Sequence, residues 1–170
     1  MELDLKKVSL DAYDTGGELT LTQEETAETI VPDYCPDIAR IIQTDGKVYL
    51  HSRELRDGKA ELSGTLRVTV LYTPDGESGI RTLEFAIPFT AESDGRALPG
   101  CQHLTVETET EFLEARMLNP RKIFTHCKLV THVTGYQRKP LVFCSDTEAE
   151  PELQVEKRHE EQHAILLTHI

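Results

Sequence analysis

Tryptophan is absent from the chain, and aromatic residues make up only 6% of its 170 positions. Aromatic faces provide the flat apolar platforms on which sugar rings pack, so this scarcity disfavours a carbohydrate-binding surface. Serine and histidine are present, but no GxSxG sequence occurs, so a nucleophilic serine has no recognisable local setting. The sequence therefore lacks the usual signals of two common functional classes.

Basic residues are also few, since 18 Lys and Arg stand against 30 Asp and Glu, a net charge of −12. Nucleic acids are bound largely through Lys and Arg that neutralise phosphates, so this balance disfavours them as partners. No apolar run approaches the roughly 18 residues of a membrane span, and the first residues lack the layout of a signal peptide. We therefore expect a soluble cytoplasmic protein that binds neither nucleic acid nor membrane.

No two cysteines lie close together in the sequence, where they occupy positions Cys35, Cys101, Cys127 and Cys144. This spacing excludes a CxxC redox motif and a zinc ribbon. The only adjacent cysteine and histidine are Cys127 and His126. Because cytoplasmic thiols stay reduced and free cysteine packs like a small hydrophobe, the four are expected to be buried structural thiols. No cofactor is predicted.

One catalytic motif is present, an HExxH sequence at 159–163. On a helix it would place His159 and His163 one turn apart to share a zinc ion, and His169 stands where the longer metzincin pattern has its third ligand. That pattern requires a glycine where this chain has Leu166, and only one residue follows His169. A tail rich in Glu, His and Gln produces HExxH by composition, so we predict no metal site and keep a zinc hydrolase as a disfavoured alternative.

Apolar and polar residues alternate through the middle of the chain. In 66–72 the apolar residues recur at every second position, which is typical of a half-buried strand. Asp57-Gly58 accepts the positive φ angles of a tight hairpin turn. The first half therefore predicts a meander of strands at 47–55, 60–72 and 80–89. The second half shows the same alternation of apolar and polar residues, which predicts strands at 104–112, 122–134 and 141–144.

Helix is scarce in the pattern. Only 36–43, where Ile38, Ile41 and Ile42 follow Pro36 at helical spacing, predicts a short helix that packs on the meander. The expected fold is all-β, an antiparallel sandwich or barrel-like meander, with two similar β subdomains as a variant. We expect residues 1–170 to form a single globular unit, in which 145–170 is an acidic tail or a strand leading into a downstream module.

A group of basic residues departs from the acidic background of the second half. These are Arg116, Arg121, Lys122, Arg138 and Lys139. They are candidates for a docking surface for an acidic protein partner. The favoured interpretation is that each balances a neighbouring carboxylate in a cross-strand pair.

Several short motifs occur in an order that resembles the SPOCS domain of morphogenetic proteins of the bacterial spore envelope. They are Glu-x-x-Val-Pro at 28–32, Pro36-Asp37-Ile38, Gly64 ahead of 68–72, Ile87-Pro88-Phe89, and Leu-Asn-Pro-Arg-Lys at 118–122. The resemblance covers about 28–136. Members of this family have no known catalytic residues, and they often carry several such modules followed by a LysM domain, which is not apparent in these residues.

The resemblance implies a non-enzymatic interaction or scaffold module in spore coat or envelope assembly. Its partner would be another coat or envelope protein on the mother-cell side of the forespore surface, and the chain would be the N-terminal part of a longer protein. The alternative of another class is a β-sandwich that binds a carbohydrate or cell-wall fragment. The oligomeric state does not follow from the sequence.

Overall fold

The computed structural model of the chain describes residues 4–148, which form six β-strands and no helix. The strands are β1 (Asp4–Ile30), β2 (Ile38–Arg56), β3 (Lys59–Pro74), β4 (Arg81–Glu92), β5 (His103–Asn119) and β6 (Lys122–Glu148). They pair antiparallel in two three-stranded sheets, ordered β1-β6-β5 and β2-β3-β4. The predicted all-β antiparallel fold is confirmed as two separate sheets and not a closed barrel. The motif at 159–163, His169 and most of the predicted tail lie outside the described residues.

The two central strands, β3 and β6, build the core between the sheets. In β3 every second residue from Ala60 to Pro74 is buried, as the predicted period of two requires. In β6 the buried positions are the odd ones from Ile123 to Gly135. Side chains from both strands meet in one apolar cluster, which includes Leu66 and Leu129. The alternation in the sequence therefore marks the two strands that are covered on one face.

The short helix predicted at 36–43 is not formed, because the chain enters β2 at Ile38. Two bulges explain the misleading spacing: the pairing of β2 with β3 shifts between Ile38 and Arg40 and again between Ile41 and Gln43. Each bulge adds one residue, so successive inward positions are three residues apart and imitate a helical period. Ile38 is buried and Ile41 packs against the core, but Ile42 is 47% exposed.

The strands are longer than their sequence patterns indicate. The segments predicted at 122–134 and 141–144 are parts of one strand, β6, and β1 is not predicted at all. Beyond the point where His103 pairs with Tyr136, β6 pairs only with β1. We call this two-stranded extension, formed by 4–15 and 136–148, the ribbon.

Two buried threonines of β6 differ in how their hydroxyls are satisfied. The Thr125 hydroxyl has no hydrogen-bond partner among the described residues, whereas the Thr131 hydroxyl lies 3.0 Å from that of Thr108. Thr125→Val should therefore stabilise the protein by about 1 kcal/mol, because it removes an unpaired buried polar group without changing shape. Thr131→Val should destabilise it by about 1 kcal/mol. Urea unfolding of both variants tests these two predictions. Changes in unfolding free energy of the same sign and size would contradict them.

The four cysteines are expected to be buried, and only one of them is. Cys127 is buried, Cys35 and Cys101 are half-buried, and Cys144 is exposed on the ribbon. Burial raises the pKa of the Cys101 and Cys127 thiols, which keeps them protonated and poorly nucleophilic.

Within residues 4–148 there is no helix long and apolar enough to cross a membrane.

Candidate docking surface

The chain passes from one sheet to the other through a crossover loop, residues 31–37. Both ends of this loop are fixed to the turn between β5 and β6. The amide of Val31 donates to the carbonyl of Arg121 at 2.9 Å, and the amide of Ile38 donates to that of Pro120 at 2.9 Å. The crossover loop is therefore held by residues that lie more than 80 positions away in sequence.

The side chain of Arg121 fixes the interior of the crossover loop. Its guanidinium donates to the carbonyls of Cys35, at 2.7 Å, and Val31, at 2.9 Å. The same group forms ion pairs of 3.1 Å with Asp33 and Asp37. A planar guanidinium can serve several acceptors at once, which a lysine ammonium cannot do in this geometry. Arg121 thus acts as a clamp for the loop.

The underside of the crossover loop rests on the core. The hydroxyl of the buried Tyr72 donates to the carbonyl of Pro36 at 3.4 Å. Burial raises the pKa of Tyr72, so this hydroxyl stays protonated as a donor. The amide of Asp75 also donates to the carbonyl of Asp37 at 2.8 Å. The loop is therefore tied to both sheets.

Exposed apolar side chains gather at this end of the sandwich. Tyr34, on the crossover loop, is 88% exposed, and Ile30, the last residue of β1, is 71% exposed. Met117 and Leu118, at the end of β5, are also exposed, and the pairing shifts between Met117 and Asn119. We call Ile30, Tyr34, Met117 and Leu118 the loop-end surface. Ile30 pairs with the outward-facing Lys122 and Met117 with the buried Ile123, so these residues share one end of the fold but not one face. Exposed apolar residues at one end of a fold are candidates for an interaction site.

Three of the predicted docking residues lie beside the loop-end surface. Arg121 is the clamp already described, and the ammonium of Lys122 forms an ion pair with Glu28. Arg116 is exposed and its guanidinium lies 4.6 Å from the centre of the Phe124 ring, a cation–π contact. Of the three, Arg116 presents its charge most directly to a partner.

The other two predicted docking residues are far from this end. Arg138 and Lys139 lie on the ribbon and form ion pairs with Asp11 at 2.6 Å and Asp14 at 2.7 Å. They follow Lys122 by 16 and 17 positions along the same strand, which corresponds to about 55 Å at 3.3 Å per residue. The structure thus divides the five basic residues into two groups.

The apolar part of the loop-end surface is not predicted from the sequence. Tyr34 lies in a Pro-Asp-Tyr-Cys-Pro-Asp stretch that signals a turn, and an aromatic residue at the tip of a turn is the signal that could identify it. The carboxylates of Asp33 and Asp37 form ion pairs with Arg121, and both residues lie in the turn that this stretch predicts.

Metal-ligating side chains do not converge in the described part of the chain. No group of three or more His, Cys, Asp or Glu residues there could hold a metal ion. His126 and Cys127 are neighbours on β6, and successive strand residues point to opposite faces. Accordingly, His126 pairs with Glu24 on the outer face while Cys127 is buried in the core.

Comparison with known proteins gives one informative match. No curated protein and no solved structure was found to match the chain. Residues 37–118 match the family model described as "SipL, SPOCS domain". The match includes Gly64 and 87–89, whereas 28–32 and Arg121 lie outside it. The predicted resemblance is thereby confirmed: residues 37–118 are similar to the SPOCS domain, a sporulation-related domain.

Proposed function

We propose that the chain is a non-enzymatic protein-interaction module of spore coat or envelope assembly, and that a partner protein docks on the loop-end surface. The sporulation link rests on the SPOCS match at 37–118. The observation that carries the docking site is Tyr34, which is 88% exposed on a loop whose backbone is clamped by Arg121. The proposed location is the cytoplasm of the mother cell, at the forespore surface.

A clamped tyrosine favours binding for two physical reasons. Tyrosine is among the residues that most often dominate the energy of an interface, because it brings a large apolar ring and a hydrogen-bonding hydroxyl. A loop that is already fixed loses little conformational entropy when a partner binds. Ile30 and Leu118, which are exposed at the same end of the fold, would add apolar area to the contact with a partner.

Charged side chains at this end of the fold would orient the partner. Arg116 is exposed near the end of β5, and the Asp33 carboxylate is fully exposed beside the tyrosine. Rim charges of this kind influence the association rate and the choice of partner more than the affinity. Arg116→Glu should therefore slow association, and its effect should shrink at high salt. Arg121 is unsuitable for this experiment because its reversal would release the crossover loop.

The docking proposal predicts a large effect of one substitution. Tyr34→Ala should weaken binding of the partner about 30-fold, the equivalent of the 2 kcal/mol that defines a dominant interface residue. Tyr34→Phe should keep most of the affinity. Tyr49→Ala is the control and should bind normally, since Tyr49 lies on β2, 11 residues beyond the end of the crossover loop at Ile38.

The measurement has two stages. Affinity capture from sporulating cells, compared between the native chain and Tyr34→Ala, should recover an envelope protein with the native chain alone. The affinity of that purified protein is then measured by calorimetry against all three variants. Equal binding by Tyr34→Ala and Tyr49→Ala would remove the loop-end surface as the site, and catalytic turnover by the chain would contradict a purely structural role.

A further inference from the structure

The ribbon has two strand edges that are unpaired within the described residues. Its strands 4–15 and 136–148 pair with each other but extend past the start of β5 at His103. About 12 residues of each strand extend in this way, roughly 40 Å at 3.3 Å per residue. An isolated two-stranded ribbon is marginally stable in water, and additional strands stabilise it. The ribbon is therefore suited to accept another strand.

One face of the ribbon carries an apolar patch between charged residues, because it continues the inner face of its sheet. The odd-numbered residues of β6 that are buried at Leu129 and Val133 continue in register to Leu141 and Phe143. The opposing β1 residues are Leu10 and Val8. Val8, Leu10 and Phe143 are exposed, Leu10 by 53%. The inner face thus extends beyond the part that the second sheet covers.

A bulge in β1 brings its even-numbered residues onto this face. Thr15 pairs with Tyr136 and Gly17 with Gly135, so Gly16 is an extra residue that reverses the alternation of β1. Below the bulge the residues on the apolar face are Lys6, Val8, Leu10, Ala12 and Asp14. A basic residue therefore begins this row, three apolar residues form its middle, and an acidic residue ends it.

The two edges of the ribbon differ in their capacity to accept a strand. The β6 edge contains Pro140, which has no amide hydrogen to donate to a neighbour. Proline on a sheet edge discourages further pairing. The β1 edge contains no proline between Lys6 and Asp14. The β1 edge is therefore the one available to another strand.

The row on the β1 edge is complementary to itself. If a second copy of β1 lies antiparallel and the pairing is centred on Leu10, Lys6 faces Asp14 of the other copy and Val8 faces Ala12. Opposite charges and apolar pairs in directly facing positions stabilise antiparallel sheets. Parallel pairing in register would instead place Lys6 beside Lys6 and Asp14 beside Asp14, which is repulsive. The pattern thus selects both an orientation and a register.

We propose that a second copy of this chain binds the β1 edge of the ribbon, with the two β1 strands antiparallel and centred on Leu10. The result is a four-stranded sheet in the order β6-β1-β1-β6. Asp14 keeps its contact with Lys139 at 2.7 Å, and its second oxygen, which accepts from the Thr15 amide at 3.0 Å, would also face Lys6 of the other copy. This self-association goes beyond the docking proposed above, because the ribbon and the loop-end surface lie at opposite ends of β6.

Disulfide trapping in the full 170-residue chain tests the register. The background carries Cys144→Ser, since the native Cys144 is exposed on the ribbon. Leu10→Cys places two thiols in facing positions, where Cβ atoms are about 5 Å apart and a disulfide forms with a small adjustment. Val8→Cys is the control, because its two copies would be separated by four residues, about 13 Å. We expect a covalent dimer from Leu10→Cys and little or none from Val8→Cys.

Two outcomes would overturn the proposal. The first is equal cross-linking by Leu10→Cys and Val8→Cys, and the second is a monomer at every concentration in sedimentation equilibrium of the native chain.

Further variants test the facing positions. A 1:1 mixture of Val8→Cys and Ala12→Cys should form a disulfide between the two proteins. Lys6→Asp should weaken the dimer about tenfold, since it turns two facing attractions into repulsions. Lys7→Asp makes the same charge change on the opposite face and should weaken it less.

Discussion

Gly64→Ala is expected to destabilise the domain by about 3 kcal/mol, the upper part of the range for forcing extra atoms into a packed core. A methyl group at this position would lie 2.5 Å from Cζ of Phe89 and 2.7 Å from the carbonyl oxygen of Tyr49. The first contact can be relieved by moving a ring. The second involves the backbone of β2, which is fixed by its ladder with β3, so the strain cannot be dispersed locally.

The role of Phe89 can be separated from that of the backbone by a double substitution. Gly64 faces Phe89 in the ladder between β3 and β4, and the ring lies over the space that a side chain would fill. Phe89→Leu combined with Gly64→Ala should therefore recover part of the loss. Ser63→Ala, one position away on the outer face, is the control and should change stability by less than about 0.5 kcal/mol. Urea unfolding midpoints provide the measurement, and an unchanged midpoint for Gly64→Ala would refute the packing argument.

Arg121→Ala should be the second most damaging substitution, with a loss of about 2 to 3 kcal/mol, the value of hydrogen bonds to a charged group. It removes two hydrogen bonds to the carbonyls of Val31 and Cys35 together with both ion pairs of the guanidinium. Arg121→Lys should recover less than half of the loss, since an ammonium cannot reach both carbonyls in the same fork. Lys122→Ala removes only an exposed pair with Glu28 and should cost about 0.5 kcal/mol or less.

Hydrogen exchange distinguishes a local from a global effect of this substitution. The Cys35 amide is bonded to the carbonyl of Pro32, and it should lose protection in Arg121→Ala before the amides of β3 do. Binding through Tyr34 should weaken at the same time, because a released loop must be ordered again on docking. If the Cys35 amide kept its protection, Arg121 would not be the clamp of this loop.

The sequence predicts those parts of the fold that depend on local pattern. The strands around Leu66 and Leu129 are found because one of their faces is buried, which imposes a strict period of two. The hairpin turn is found because Asp57 and Gly58 tolerate φ angles of 51° and 80°. Both features are decided by residues close to each other in the chain.

The misinterpreted parts depend on irregular pairing or on distant residues. The apparent helix near Ile38 and Ile41 arises from bulges, which a search for regular periods cannot distinguish from a helical spacing. The basic residue Arg121 is recognisable in the sequence as a candidate site residue. Its contacts are not, because its partners Val31 and Cys35 lie 90 and 86 positions away.

The length of β6 has a mechanical consequence. From Lys122 beside the crossover loop to Leu141 opposite Leu10, the strand covers 19 steps, about 60 Å at 3.3 Å per residue. Two chains joined at Leu10 would hold their Tyr34 side chains about 120 Å apart, directed away from each other. Such a pair would act as a divalent spacer, able to bridge two partner molecules at a fixed separation that is set by the number of residues in a single strand.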